Sequence, residues 1–136
     1  IQDTEKQFPE HLVFFMLHHL HHPERTSLFH QIEERLSTTG QGIQPLFSEL
    51  YRVRRQRLRI IIRMTESYLL EIQSSMIMRD YLASIWSLTY GAAVILNSSF
   101  YQRYLGSRDT LRVAYIDQAL AMPKQHQQFT SSLMTQ

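Results

Sequence analysis

The chain contains no cysteine, which excludes a disulfide framework, thiolate zinc sites and thiol nucleophiles. Glycine and proline number only four each in 136 residues, too few for a turn-rich β protein. The ordinary apolar share of 43% argues against disorder. Long hydrophobic runs are missing as well. The longest, Ile85 to Leu96, is broken by Ser87, Thr89 and Tyr90 and falls short of the ~20 residues that cross a bilayer. The run from Leu12 to Leu17 ends in histidines rather than in small residues at a cleavage site, so no secretory leader is read. A soluble, cytoplasmic protein with no membrane partner is the expectation. Neither sign of charge dominates, because a net charge of +2 is too small to imply a nucleic-acid partner. Ile1, in place of an initiating methionine, suggests a processed form or an excised fragment.

What is present is helical periodicity. A first helix is predicted over Pro9–His22, with proline at its first position and a stripe of Phe8, Leu12, Phe15, Met16 and Leu20. Pro23 opens a second, to about Leu36, expected to bury Leu28, Ile32 and Leu36. After a loop holding Gly40 and Gly42, Pro45 starts a long third helix to about Ile72. Its stripe is Leu46, Leu50, Val53, Ile60, Ile61, Met64 and Tyr68. Ser74 and Ser75 interrupt the pattern and offer an N-cap for a fourth helix, Met76 to about Asn97. A fifth runs from about Arg108 to Met122 and is expected to stop at Pro123. The predicted fold is all-α, five main helices in an antiparallel-type bundle over residues 1–123, with 124–136 a flexible polar tail.

The last two predicted helices carry apolar residues on more than one side. On the fourth, Leu82, Ile85, Ala92 and Leu96 oppose Trp86, Tyr90 and Ala93; on the fifth, Leu111, Tyr115, Ala119 and Met122 oppose Val113, Ile116 and Leu120. A helix apolar on most of its circumference must be covered on most of it. A second subunit meeting the same patch across a two-fold axis supplies that cover, and Ala83, Gly91, Ala92 and Ala114 are small enough for close helix approach. Central helices of a monomeric bundle are the alternative.

The order of elements carries a resemblance. "FPEHLVFFMLHHLHHPERTSLFHQIEERL" is followed by the long "IQPLFSELYRVRRQRLRIIIRMTESYLLE", then "YLASIWSLTYGAAVILN", then "RDTLRVAYIDQALAM". This resembles the C-terminal effector-binding and dimerisation domain of TetR-family transcriptional repressors, over most of the chain, through hydrophobic patterns rather than invariant chemistry. The resemblance implies a homodimer whose last two helices form an intersubunit four-helix bundle, and a small, mostly apolar effector bound in each subunit. The family's N-terminal helix-turn-helix unit has no counterpart here, so DNA would be bound only through a domain absent from this sequence. A pocket between helices one, three and four is expected, with Phe15, Arg57, Met64, Tyr68, Trp86 and Tyr90 as ligand contacts.

Other constellations carry less. The cluster His18, His19, His21 and His22 is the most unusual local feature; His11, His18 and His22 share one helical face, which raises a metal or haem sensor as an alternative function, but the face points to solvent and no carboxylate but Glu10 sits at ligand spacing. Arg52, Arg54, Arg55, Arg57, Arg59 and Arg63 scatter around the third helix without aromatic residues between them, which reads as a solvated face rather than a nucleic-acid surface. Arg57 is the exception: its phase puts it on the buried side, where it requires an anionic partner. No nucleophile elbow, phosphate loop or paired carboxylate motif is present, so no enzyme activity and no cofactor are expected. A protein–protein adaptor without a pocket is the remaining alternative.

Overall fold

The computed structural model describes the backbone of residues 4–39 and 44–134, and within these the side chains of 7–28, 30–35, 48–49 and 52–125. The protein is all-α, with no strand among the described residues. Its helices are α1 (Thr4–His21), α2 (Pro23–Thr39), α3 (Gln44–Glu71), α4 (Met78–Leu96), the short α5 (Ser99–Gln102) and α6 (Arg108–Met134). No described helix is long and apolar enough to cross a membrane.

α1 follows its stripe. Phe8, Leu12, Met16 and Leu20 recur every fourth residue, and all are buried. Burial of a side chain such as Met16 or Leu20 contributes roughly 1.5–3 kcal/mol. The helix begins earlier than the sequence predicts, so Pro9 lies inside it rather than at its first position. The turn around Pro9 is held from outside: Phe8 stacks on Tyr68 of α3 with ring centroids 4.6 Å apart and meets Tyr81 of α4 at 5.9 Å.

α2 departs further. Leu28 and Ile32 are 58% and 48% exposed instead of buried, and the side chain of Leu36 lies outside the described residues. The buried positions among its described side chains are Pro23 and Thr26, and the Thr26 hydroxyl lies 3.1 and 3.2 Å from the carbonyls of His19 and His22. That anchor, one turn after Pro23, fixes the roll of α2 so that Thr26 and Glu33 turn inward and the aliphatic side turns out.

α3 spans 28 residues, about 42 Å at 1.5 Å per residue, against about 29 Å for α4 with 19. Its neighbours cannot cover it throughout. The buried side chains cluster near its C-terminal end, at Thr65, Tyr68 and Leu69, while Ile60 and Ile61 are exposed. Arg57, expected on the buried side, is exposed too, because it lies toward the uncovered half of the helix. Leu46 and Leu50 fall outside the described side chains. α3 ends through Gln73, which adopts a left-handed φ of 57°. Its N–H reaches the Leu70 carbonyl and the Ser74 N–H reaches the Leu69 carbonyl, which satisfies two orphan carbonyls.

α4 is the central helix, packing against α1, α2, α3, α5 and α6. Its Tyr81, Leu82, Ile85, Thr89, Ala92, Ala93 and Leu96 are buried within the one chain. The expectation that α4 needs a second subunit over most of its circumference therefore fails. What remains outward is a strip of Ala83, Ser87, Gly91 and Val94. Its N-cap is Ile77, without a side-chain cap; Ser74 does not cap it, but donates to the Pro123 carbonyl at 2.6 Å and accepts from the Met76 N–H.

α6 runs antiparallel to α4 and continues through Pro123 to Met134 instead of stopping. Proline removes the N–H that the Ala119 carbonyl would accept. The buried Tyr81 hydroxyl replaces it, donating to Ala119 at 2.9 Å. At the other end of α6, Arg108 Nε donates to the Leu96 carbonyl and Arg112 Nε to the Leu20 carbonyl, at 3.0 and 3.1 Å. Two arginines thus satisfy the C-terminal turns of α4 and α1, where cations are favoured.

Candidate functional site

The six residues expected to line one pocket are dispersed. Tyr68 is core, stacked on Phe8. Met64 packs at the edge of the same core, Trp86 is half-buried and Arg57 is exposed. Phe15 also packs against that core, and it shares one neighbour, His19, with Tyr90. The two open depressions described in the surface, about 520 and 410 Å³, lie beside Pro9–Phe14 of α1 and between the end of α3 and the start of α4, and none of the six lines either.

The set around Phe15 and Tyr90 is where polar chemistry concentrates, at the junction of α1, α2, α3 and α4. His19 lies on the inner side of α1, one turn beyond Phe15, and their rings meet edge to face at 4.5 Å. Tyr90 of α4 approaches His19 edge-on at 5.9 Å and stacks against His30 of α2 at 5.2 Å. Behind these rings Glu33 of α2 pairs with Arg54 of α3 at 2.5 Å.

The hydrogen bonds assign the state of His19. Its Nδ1 lies 2.9 Å from Thr26 Oγ1. The one hydroxyl hydrogen of Thr26 is directed to the carbonyls of His19 and His22, so Thr26 accepts and Nδ1–H donates. Nε2 is left as an acceptor, with no hydrogen bond among the described residues. Burial, and then the neighbouring His18, push the His19 pKa below its ordinary value, while Glu33 opposes them. The imidazole is therefore neutral at pH 7. Tyr90 is shifted upward, by burial first and by Glu33 second, with Arg54 opposing, so its phenol keeps its proton.

Sequence reasoning noted His19 only as one member of the His18, His19, His21 and His22 run, and did not single out Thr26, His30 or Glu33. The signal for His19 was present: it continues the spacing of Phe8, Leu12 and Phe15, which puts one histidine of the run on the apolar side. By contrast His18 and His22 are exposed, their rings 6.0 Å apart. Among the described residues no three ligating side chains are grouped to hold a metal ion. The arrangement offers one neutral acceptor, one hydroxyl and three aromatic faces.

No protein-family model, curated protein or solved structure matches the chain.

Proposed function

We propose that this chain is the sensing and self-association part of a TetR-like transcriptional regulator, a homodimer in which each subunit binds a small, mostly apolar effector. DNA binding is assigned to a helix-turn-helix unit outside residues 1–136. The order of helices supports the reading: a long α3, then α4, a short connection and a long closing helix packed antiparallel to α4.

Gly91 is the observation that carries it. It sits mid-helix on the outward strip of α4, where glycine costs about 1 kcal/mol relative to alanine. A Cβ built there meets nothing within 4 Å in its own chain, so nothing within the subunit requires the glycine. Close approach of a second copy does. Val94 beside it and Val113 on α6 are 55% and 59% exposed, and Ala83 and Ala114 continue the small, outward-facing surface of the two helices. A two-fold axis beside α4 and α6 brings these strips together into four helices. Effector binding then acts by preferring one spacing of the subunits, since a ligand shifts an equilibrium only by its differential affinity for the two states.

Light scattering on the full chain and on Gly91→Glu tests the dimer. The expected result is a dimer for the wild type and a folded monomer for the variant. A wild-type monomer at high concentration rejects the reading and favours a protein–protein adaptor.

A further inference from the structure

The inference here rests on the proposed binding of a small, mostly apolar effector and narrows its chemistry. Three features of the His19 junction restrict what it can hold. The first is an unused acceptor: His19 Nε2 has no protein partner among the described residues, because Nδ1–H is committed to Thr26. Among the described residues the Tyr90 hydroxyl likewise has no hydrogen-bond partner. No described buried side-chain nitrogen or oxygen lacks a partner, so both groups are open to an incoming molecule. The second feature is shape: the rings of Phe15, His19, Tyr90 and His30 form a continuous array across α1, α4 and α2, which favours a planar guest over an aliphatic one. The third is charge. Glu33 and Arg54 neutralise each other at the edge of the array, so an anion or a cation there meets one like charge beside the opposite one.

We propose that His19 Nε2 and the Tyr90 hydroxyl, set among the rings of Phe15 and His30, bind a neutral planar molecule bearing a hydroxyl, of the phenol class. A single ligand hydroxyl satisfies both groups: it donates to Nε2 and accepts from Tyr90. No bond is made or broken. Capping that hydroxyl with a methyl group removes the donor and leaves Nε2 unpaired, while ionising the ligand adds a charge that the site does not complement.

The test is a titration of the full chain with phenol, anisole and benzoate, followed through the imidazole ¹⁵N resonances. Phenol is expected to bind saturably and to move the His19 Nε2 resonance. Anisole should bind roughly tenfold more weakly, the loss expected for one hydrogen bond, and benzoate more weakly than phenol. His19→Phe keeps a ring but removes the acceptor, and should bring phenol down to the level of anisole with helical circular dichroism unchanged. Tyr90→Phe, which removes the second hydroxyl, should weaken phenol as well and serves if His19→Phe does not fold. Equal binding of phenol and anisole, an unmoved His19 resonance, or wild-type phenol affinity in a folded variant overturns the proposal. A dimer that fails to bind phenol rejects this ligand class and leaves the dimeric reading standing. A monomer that binds phenol through His19 does the reverse.

Discussion

The hydroxyl of Tyr81 stands in for a backbone amide: it donates to the carbonyl of Ala119, the acceptor that Pro123 four residues later cannot serve. The phenol is held in its protonated, donating form, because burial and then the nearby Tyr68 push its pKa well above the ordinary tyrosine value. Tyr81→Phe leaves that carbonyl buried and unpaired, at an expected cost of about 1–3 kcal/mol. Pro123→Ala restores an N–H at the right position. The double variant should therefore lose less stability than Tyr81→Phe alone, with the difference read from urea midpoints in a double-mutant cycle. Strict additivity of the two substitutions would show that the hydroxyl is not filling the gap left by proline.

Gln73 is the second place where the chain departs from its most favourable local choice. Its φ of 57° lies in the left-handed region, which glycine enters without a Cβ penalty and other residues do not. Gln73→Gly should stabilise the fold by about 0.5–1 kcal/mol, measurable as a higher urea midpoint at constant slope. A loss of stability would mean that the glutamine side chain contributes more than the turn costs.

These two sites show what was legible in the sequence. Apolar spacing located α1, α3 and α4 and identified Phe8, Leu12, Met16 and Leu20 as core, because those properties follow from periodicity alone. The course of α6 was not legible, because Pro123 reads locally as a stop and its rescue comes from Tyr81, 38 residues away along the chain. The roll of α2 was hidden for the same reason. Leu28 and Ile32 form a plausible buried stripe, yet the hydroxyl of Thr26 fixes the opposite side inward. Arg57 illustrates the limit of phase without length: periodicity gives a side of the helix, but not whether a neighbour reaches that turn. Of the expected pocket, Phe15 and Tyr90 share one neighbourhood, and the polar partners that give it chemistry come from α2, the helix whose orientation the pattern misread.

A pH dependence follows from His19. Its folded-state pKa is lowered from 6.5, so the unfolded chain binds the proton more readily. Stability is thus fully present above about pH 6.5 and is lost as pH falls from there toward the folded pKa, levelling off below it. The groups facing His19 are His18 on α1, Thr26 and Glu33 on α2, and Tyr90 on α4, with Arg54 of α3 paired to Glu33. Urea midpoints between pH 7.5 and 5 should fall more steeply for the wild type than for His19→Gln, which cannot titrate. Parallel profiles would place the acid sensitivity elsewhere.

Arg112 is the arginine that meets the requirement wrongly assigned to Arg57: its side chain is 15% exposed and bonded on two sides. Nε donates to the Leu20 carbonyl at the end of α1, and a terminal nitrogen reaches Asp109 at 2.6 Å. The two bonds are unequal. Asp109 is 89% exposed, and ion pairs in that setting contribute about 0–1 kcal/mol. The bond to Leu20 is different, because it satisfies an orphan carbonyl at a helix end and ties α6 to α1 across the protein. Arg112→Met keeps most of the aliphatic contact but removes this donor, and should cost about 1–3 kcal/mol. Asp109→Asn should cost less than about 0.5 kcal/mol. If the two substitutions destabilise equally, the ion pair rather than the helix-end bond is what Arg112 contributes, and the coupling of α6 to α1 must then rest on Ile116, Ala119 and their apolar neighbours.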